Sequence, residues 1–562
     1  MQVLRALRGW NAKAAIIIAA VLSFPGSQSA ADPPKSDPAP IRTENGLARD
    51  ESATMAPDDD DDPAVLADSS NNSSITKTQV VTIPAATGYT SPPTAPGQKA
   101  AVQPWKLLFF DNDFSYKKKP DHQRLFGEEL KDIPLDDLPL LTFLPDESFV
   151  FSTGGEVRFR EMDESNRLRP GPPARGDYQL WRWRQYADLK VGDWFRIYGE
   201  MIDASMDNNP LATTGIDVNR WDVQNLLFDL RVWEFDNGRP VWFRAGRQEL
   251  SYGSQRLVSP LDWANTRRNF EGLKFFTKGS DWDFDLWFTR PVNSATIGDT
   301  PVTYAANHFD SPNMNHTFSG AWFTYKGVKE QIVDLYWLWD FNSKLIQPGF
   351  PGGNRHTVAG RWLRNFPVLE GDRPIRTWHG EVEGGYQFGE DFGKNVVAGF
   401  VTAGAGHTWN TIPWTPNLWI YYDYASGSNN LNGGTTHTFN QQYGLTHAYL
   451  GQIDNVARQN IGDINGKFTV KPHPQLVLDT QYHWLDLANS HDVLYTITGQ
   501  PFGKPNRGSH VGDELDLVGT YTVNPNFSVQ LGYFWFWYGD VVQNNSPRGT
   551  AEQLYVMTTF RY

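Results

Sequence analysis

Most of this sequence alternates between apolar and polar residues, and that alternation limits the fold more than any other feature. It begins at Ser148 and continues in short segments to Tyr562. In Leu180–Val191 the apolar positions are Trp181, Trp183, Ala187 and Leu189, and the polar positions include Arg182, Arg184 and Asp188. Alternation with a period of two predicts a β-strand with one apolar and one wet face. No apolar run after residue 30 approaches the ~18 residues of a membrane-spanning helix, so a membrane crossing would have to use such strands.

The connections between these segments alternate between short and long. The short ones carry turn signals at Gly192-Asp193, Asn237-Gly238, Gly279-Ser280, Lys326-Gly327, Lys471 to Pro474 and Asn524-Pro525. The long polar stretches are 205–220, 251–269, 291–316, 341–355, 425–459 and 488–511. This layout is typical of outer-membrane barrels, which have short periplasmic turns and long extracellular loops. We predict an all-β fold, a transmembrane antiparallel β-barrel of about 18 strands over 148–562, least regular over 365–416.

Aromatic side chains are abundant, with 22 Trp and 22 Tyr. Both residues favour membrane–water interfaces because each has an apolar body and a polar tip. The candidates for such a girdle are Trp194, Trp221, Trp337, Trp339, Trp535 and Trp537, for which sugar stacking is the less favoured alternative. The final segment, Glu552–Tyr562, has the period of a strand and ends on an aromatic residue, which resembles the assembly signal of outer-membrane proteins.

The first 147 residues lack this pattern. Residues 1–31 have a basic start, a short apolar core and small residues before Asp32, which predicts a cleaved secretory signal peptide. Residues 32–100, including the acidic run Asp58–Asp62, are expected to form a disordered, Pro/Ser/Thr-rich linker; calcium binding is the less favoured role of the run. Residues 101–147 contain Trp105, Phe109 and Phe110 and form either a periplasmic lead-in or a plug in the barrel.

Several function classes are excluded or disfavoured. The chain has no cysteine, so disulfides and thiolate chemistry are impossible, and the net charge of −14 argues against nucleic-acid binding. Glu381 and Glu383 share one strand face, but hydrolysis between two carboxylates needs opposed geometry, and a lumen pair is favoured. No histidine spacing suggests a metal site. We therefore predict a non-enzymatic protein without metal or cofactor.

Two stretches resemble the alginate export family of outer-membrane barrels. The first runs from Phe243 to Leu250 and continues to Gly272, and the second runs from Tyr422 to Asn460. The residues that carry the resemblance are Gly246, Arg247, Gln248, Asp262, Trp263, Asn265, Asp423, Tyr424, Ser426, Gly427, Arg458 and Asn460. The resemblance implies an 18-stranded barrel with a cationic lumen for an anionic polyuronate, and partners in a periplasm-spanning secretion assembly. Ser428 departs from the pattern, since an acidic residue often stands there.

Arginines are the candidate selectivity residues, because a guanidinium can donate two parallel hydrogen bonds to a carboxylate. Six should point into an aqueous lumen by strand alternation: Arg158, Arg160, Arg182, Arg184, Arg231 and Arg244. Four more lie at the outer end of a strand and in the following loop: Arg247, Arg256, Arg267 and Arg268. Inward carboxylates are also expected at Asp229, Asp283, Asp285, Glu381, Glu383, Asp479, Glu514 and Asp516, so ion pairing within the lumen is the alternative role.

Three functions are compatible with these patterns. The first is an outer-membrane channel that exports an anionic polysaccharide such as alginate, in contact with outer-membrane lipid and periplasmic secretion partners. The second is an uptake porin for oligosaccharides or other small solutes. The third, a secreted soluble β-rich lectin or enzyme, is disfavoured because its aromatic faces would have no covering layer.

Overall fold

The computed structural model describes residues 103–119, 121–135, 148–169, 174–208, 210–211, 215–293, 309–343 and 352–562. The predicted signal peptide and the predicted disordered linker lie outside these residues. Among the described residues, no helix is long and apolar enough to cross a bilayer.

Eighteen long strands of the described residues form a closed antiparallel sheet. They are β1 (Phe149–Ser165), β2 (Arg175–Val191), β3 (Phe195–Asp207), β4 (Asn219–Glu234), β5 (Pro240–Gln248), β6 (Phe270–Lys278), β7 (Trp282–Asn293), β8 (His316–Tyr325), β9 (Gln331–Asn342), β10 (Gly353–Glu370), β11 (Arg373–Asp391), β12 (Lys394–Thr408), β13 (Asn417–Ala425), β14 (Ile461–His473), β15 (Leu476–Leu487), β16 (His510–Asn524), β17 (Phe527–Tyr538) and β18 (Ala551–Arg561). Each strand pairs with its successor, and β18 pairs with β1 from Glu156↔Arg561 to Ser165↔Glu552. The predicted antiparallel barrel of about 18 strands is confirmed.

The two rims of the barrel differ in their connections. All six turn signals predicted from the sequence lie at one rim, which also holds the start of β1 and the end of β18. This is the periplasmic rim, because outer-membrane barrels place their short turns there. The irregularity predicted over 365–416 is confirmed: the extracellular rim has the two-residue connection 392–393, and the periplasmic rim has the eight-residue connection 409–416.

The two faces of the barrel wall follow the sequence alternation. On β2, Trp181 is 45% exposed on the outer face while its neighbour Arg182 is 1% exposed on the inner face. The proposed girdle residues Trp194 and Trp221 are exposed on the outside, near the periplasmic and extracellular ends of their strands. An apolar outer face and a polar inner face are what a strand between lipid and lumen requires.

The lumen is not the water-filled passage that the sequence predicted around Arg182 and Arg184. Both side chains are buried and ion-paired. The alternation turned them inward correctly, but loops from the extracellular rim and a segment before β1 fill the space that they face.

Candidate functional site: a constriction inside the barrel

Two long loops from the extracellular rim fold into the lumen and meet there. Loop A (249–269) connects β5 to β6, and loop B (426–460) connects β13 to β14. Ser259 N donates to Tyr443 O at 3.0 Å, and Tyr443 N donates to Leu257 O at 3.0 Å, which forms a parallel bridge between the loops. The barrel is therefore crossed by a hydrogen-bonded constriction.

Arg158 and Arg160 of β1 hold loop A through its backbone. Arg158 Nη1 donates to Asp262 O at 2.7 Å, and Arg160 Nη2 donates to Trp263 O at 2.7 Å. The Arg160 guanidinium lies 3.8 Å from the centre of the Trp263 ring, and the same ring stacks on His447 of loop B at 3.8 Å. Within the described residues neither guanidinium forms an ion pair, and the hydrogen bonds of both go to uncharged groups.

Arg182 of β2 links the wall to loop A through charge. Its Nη2 lies 2.6 Å from Glu156 Oε1 and 2.9 Å from Asp262 Oδ1, and Arg267 of loop A binds the same Asp262 carboxylate. Burial alone would raise the pKa of Asp262, but the guanidinium groups of Arg267 and Arg182 hold it well below its ordinary value. Asp262 is therefore an anionic anchor between loop and wall.

Arg184 forms a second group of ion pairs with the wall and loop A, nearer the periplasm. Its Nη2 lies 2.6 Å from Glu200 Oε1 and 3.8 Å from Glu249 Oε2, and Arg267 also binds Glu249. Burial raises the pKa of the Glu249 carboxyl even beside these two guanidinium groups. Loop A thus supplies carboxylates to the same arginines that the sequence assigned to the solute.

Arg256 of loop A reaches the opposite wall. Its Nη1 lies 2.8 Å from Glu381 Oε1 and 2.9 Å from Glu383 Oε2, both on β11. Tyr336 Oη donates to Glu383 Oε1 at 2.7 Å. The two glutamates therefore bind one shared cation from the same strand face, and the constriction is tied to both sides of the barrel.

The sequence did not predict a stack of aromatic rings that face into the barrel. Tyr252 of loop A stacks on Trp287 of β7 at 4.6 Å and on Trp322 of β8 at 5.2 Å, and Trp322 stacks on Tyr336 of β9 at 3.9 Å. Trp287 stands between Leu286 and Phe288, whose side chains are exposed on the outer face. An aromatic residue out of phase with the outer apolar face is the sequence signal that could have located this stack.

Of the four remaining predicted arginines, two lie in the filled lumen. Arg244 of β5 binds Asp229 with two hydrogen bonds, of 2.6 and 2.9 Å. Arg268 of loop A donates to Ser259 O at 3.3 Å and to Tyr443 O, without an ion pair in the described residues. Arg268 is thus a third guanidinium whose hydrogen bonds go to uncharged groups.

The other two lie away from the constriction. Arg231 lies near the periplasmic rim, 2.5 Å from Asp193 Oδ2 in the adjacent turn. Arg247 is out of phase with Arg244 and occupies the register position opposite outward-facing Leu226. Arg247 Nη2 donates to Asp310 O at 2.6 Å and lies 3.3 Å from Glu271 Oε2, so this family-motif residue joins the strand to the loop that precedes β8.

The other motif residues of the first stretch hold loop A in place. Gly246 has a positive φ of 121°, and a Cβ there would collide with the backbone of Leu226. Gln248 is buried at the end of β5. Asn265 Nδ2 lies 2.9–3.0 Å from the carbonyl oxygens of Trp181, Ser205 and Asp217, so the loop is joined to β2 and β3.

The second motif stretch fixes the two ends of loop B. Arg458 binds Asp423 of β13. Ser426 N donates to Gly399 O at 3.0 Å, and a Cβ at Gly427 would collide with the Asn460 side chain. Tyr424 pairs with Val401, which is exposed on the outer face. The family-motif residues therefore position the two constriction loops. Tyr424 is the exception, because it belongs to the outer face.

Open cavities lie beside the constriction, and two of them bear on the path through the barrel. The first has an empty volume of about 990 Å³ and lies between loop A and the inner wall of β14–β18. Its charged lining is balanced, with Arg158, Arg182, Lys467 and Arg561 against Glu156, Asp262, Asp479 and Asp516. The second, of about 770 Å³, lies against β5–β8 and is also lined by Leu108, Phe110 and Asp111.

A closed barrel with an apolar outer face, a polar lumen and a loop constriction defines an outer-membrane, porin-like channel. The family model for alginate export matches residues 149–556, and the chain belongs to that family. No curated protein matches the chain significantly.

Three solved structures from Pseudomonas aeruginosa are similar. The outer membrane protein OprD has a TM-score of 0.48 at 9% identity, covering 73% of this chain and 93% of that one. OpdQ has 0.47 at 11%, covering 73% and 97%, and OccD3 (OpdP) has 0.46 at 12%, covering 73% and 91%.

Proposed function

We propose that this channel passes an anionic polysaccharide such as alginate, outward across the outer membrane. The observation that carries the proposal is the state of Arg158, Arg160 and Arg268, whose hydrogen bonds go to uncharged groups of the described residues. A carboxylate is a stronger partner for guanidinium than a peptide carbonyl. A solute rich in carboxylates would therefore replace the loop carbonyls at these three cations.

The path that we assign to the solute runs through the first cavity. Hydroxyl and amide groups line its periplasmic half, among them Thr520, Ser528, Gln530 and Thr559. Such groups can exchange hydrogen bonds with sugar hydroxyls as a chain advances. Export needs delivery from the periplasm, so we also propose a secretion partner at the periplasmic rim.

An uptake porin for small oligosaccharides is the second candidate. The balanced charge of the first cavity favours it, because four cations and four carboxylates give little net preference for a polyanion. The two candidates differ in the solute that passes the constriction, an anionic polysaccharide in the first and a small oligosaccharide in the second.

Flux from liposomes separates them. Vesicles with the purified protein are loaded with an oligouronate or with a neutral oligosaccharide of equal length, and release is timed. Export of a polyanion predicts faster release of the oligouronate, and Arg160→Gln should remove most of that difference, whereas the rim variant Arg231→Gln should not. Faster release of the neutral sugar by the wild type would contradict the proposal and favour the uptake porin.

A further inference from the structure

The segment before β1 lies inside the barrel. Residues 103–119, called the N-terminal segment below, contain the short 3-10 turns Phe109–Asp111 and Ser115–Lys118. Leu108, Phe109 and Phe110 are buried against inward-facing residues of three strands, Tyr186 of β2, Tyr198 of β3 and Leu227 of β4. The sequence left open whether this region is a lead-in or a plug, and these contacts favour a plug.

The N-terminal segment covers the same arginines that line the predicted passage. The Arg184 guanidinium lies 3.9 Å from the centre of the Phe109 ring, and that of Arg244 lies 4.4 Å from the Phe110 ring. A guanidinium over an aromatic face gains electrostatic energy, and more so away from water. Two cations of the lumen wall are thus capped by phenylalanines of the chain itself.

Backbone oxygens of the segment bind two more arginines. Arg196 Nη2 donates to Phe110 O at 2.7 Å, and Arg267 Nη2 donates to Leu107 O at 3.0 Å. Arg267 belongs to loop A, so the segment also holds the constriction from the periplasmic side. The N-terminal segment and loop A, which both block the lumen, are therefore in contact with each other.

The barrel closes without this segment. Its β1–β18 seam is formed by main-chain pairing, whereas residues 103–119 contribute no strand among the described residues. A second anchor lies at the rim, where Ile133–Pro134 pairs with Val150 and Phe151 through the main chain. Lys131 Nζ donates to Tyr562 O at 3.1 Å there, and it also lies 5.4 Å from the Trp105 and Phe114 rings of the segment. The segment can therefore leave the lumen while the chain stays attached at the rim.

We propose that the N-terminal segment is a removable plug, which closes the lumen on the side of β2–β5 until it is displaced toward the periplasm. This rests on the proposed channel function, whose gating it describes. The plug also lines the second cavity through Leu108 and Phe110. Its departure would join that cavity to the periplasm and uncover Arg184, Arg196, Arg244 and Arg267.

The test uses the full-length chain with Phe109→Ala and Phe110→Ala together. Removal of both rings should free the segment and raise the mean single-channel conductance at least about twofold, because the blocked cross-section becomes available to ions. The control is Phe126→Ala, an exposed ring at the rim that contacts Phe560. Heat-dependent gel mobility verifies that each barrel is folded. An unchanged conductance in folded double-variant barrels overturns the proposal.

Thiol labelling gives a second readout, since the chain has no cysteine. Leu108→Cys introduces a single thiol, which should react slowly with a membrane-impermeant maleimide in the otherwise wild-type chain. With both phenylalanines removed, the same thiol should react at least about tenfold faster, because it is no longer shielded by burial. Equal rates overturn the plug.

The labelling result also separates the plug from the channel function on which it rests. If the introduced thiol becomes reactive in the double variant but the liposomes release no saccharide, the plug stands and the channel proposal fails. If saccharide passes while that thiol stays protected in the double variant, the channel stands and the plug fails.

Discussion

The two sides of the lumen are closed in different ways. Beside β14–β18, the first cavity is limited by loops A and B, and no residue of the described N-terminal segment lines it. Beside β2–β5, loop A is backed by the plug from the opposite end of the barrel. A displacement of the two loops would therefore open the first side, whereas the second side also needs the plug to move.

Trp263→Ala should have the largest effect on stability, and it should raise conductance only on the side of the first cavity. The ring contacts Arg160 and His447, so its loss should lower the free energy of unfolding by about 3–5 kcal/mol and raise conductance through the first cavity. Denaturant unfolding in lipid vesicles and bilayer recording measure the two effects. The control is Trp337→Ala on the outer face of β9. Unchanged conductance would mean that Trp263 does not limit the first side.

Tyr252→Ala tests the second side. Loss of its stacking on Trp287 and Trp322 should cost about 3 kcal/mol of unfolding free energy, since the ring is buried. We expect little rise in conductance, because the plug remains in place. A rise as large as that of Trp263→Ala would show that loop A alone closes both sides.

Arg182→Met tests whether the wall arginines are structural. Breaking a buried ion pair usually costs about 3–5 kcal/mol. Here about 2–3 kcal/mol is expected, because Arg561 still neutralises Glu156 and Arg267 still neutralises Asp262. Equilibrium unfolding by urea measures the loss. A loss of unfolding free energy below about 0.5 kcal/mol would instead support the water-filled lumen that the sequence predicted, because a solvated charged residue can be replaced at little cost.

Arg231→Gln should have the smallest effect. Its partner Asp193 is exposed at the rim, so about 0–1 kcal/mol of stability and no change in ion selectivity are expected. The same unfolding and bilayer measurements apply. A marked loss of anion preference would extend the selectivity region to the periplasmic rim.

The sequence predicted the wall far better than the contents of the lumen. A period of two fixes which face a side chain takes, so Arg158 and Arg182 were placed inward correctly. Their partners could not be predicted, because Asp262 and Trp263 reach them through the path of a loop about 80 to 105 residues away along the chain.

The family motif was found in the sequence but its physical role was not. Arg247 is predicted from the sequence as a selectivity residue at the outer end of a strand, and the structure places it opposite Leu226 on the outer register, next to Gly246 with its positive φ. The sequence could not predict the plug for a related reason. Phe109 and Phe110 belong to no periodic segment, and their burial depends on contacts inside the barrel. Local periodicity describes strands, whereas loop paths depend on contacts between residues that are far apart along the chain.

The reversal potential across a planar bilayer with a KCl gradient tests the central claim most directly. If Arg158, Arg160 and Arg268 hold positive charge for an anionic solute, the wild-type channel should prefer chloride over potassium. That preference should weaken at high salt, as the Debye length falls from about 10 Å at 0.1 M to about 3 Å at 1 M. A reversal potential of the sign for potassium preference at low salt would contradict the account.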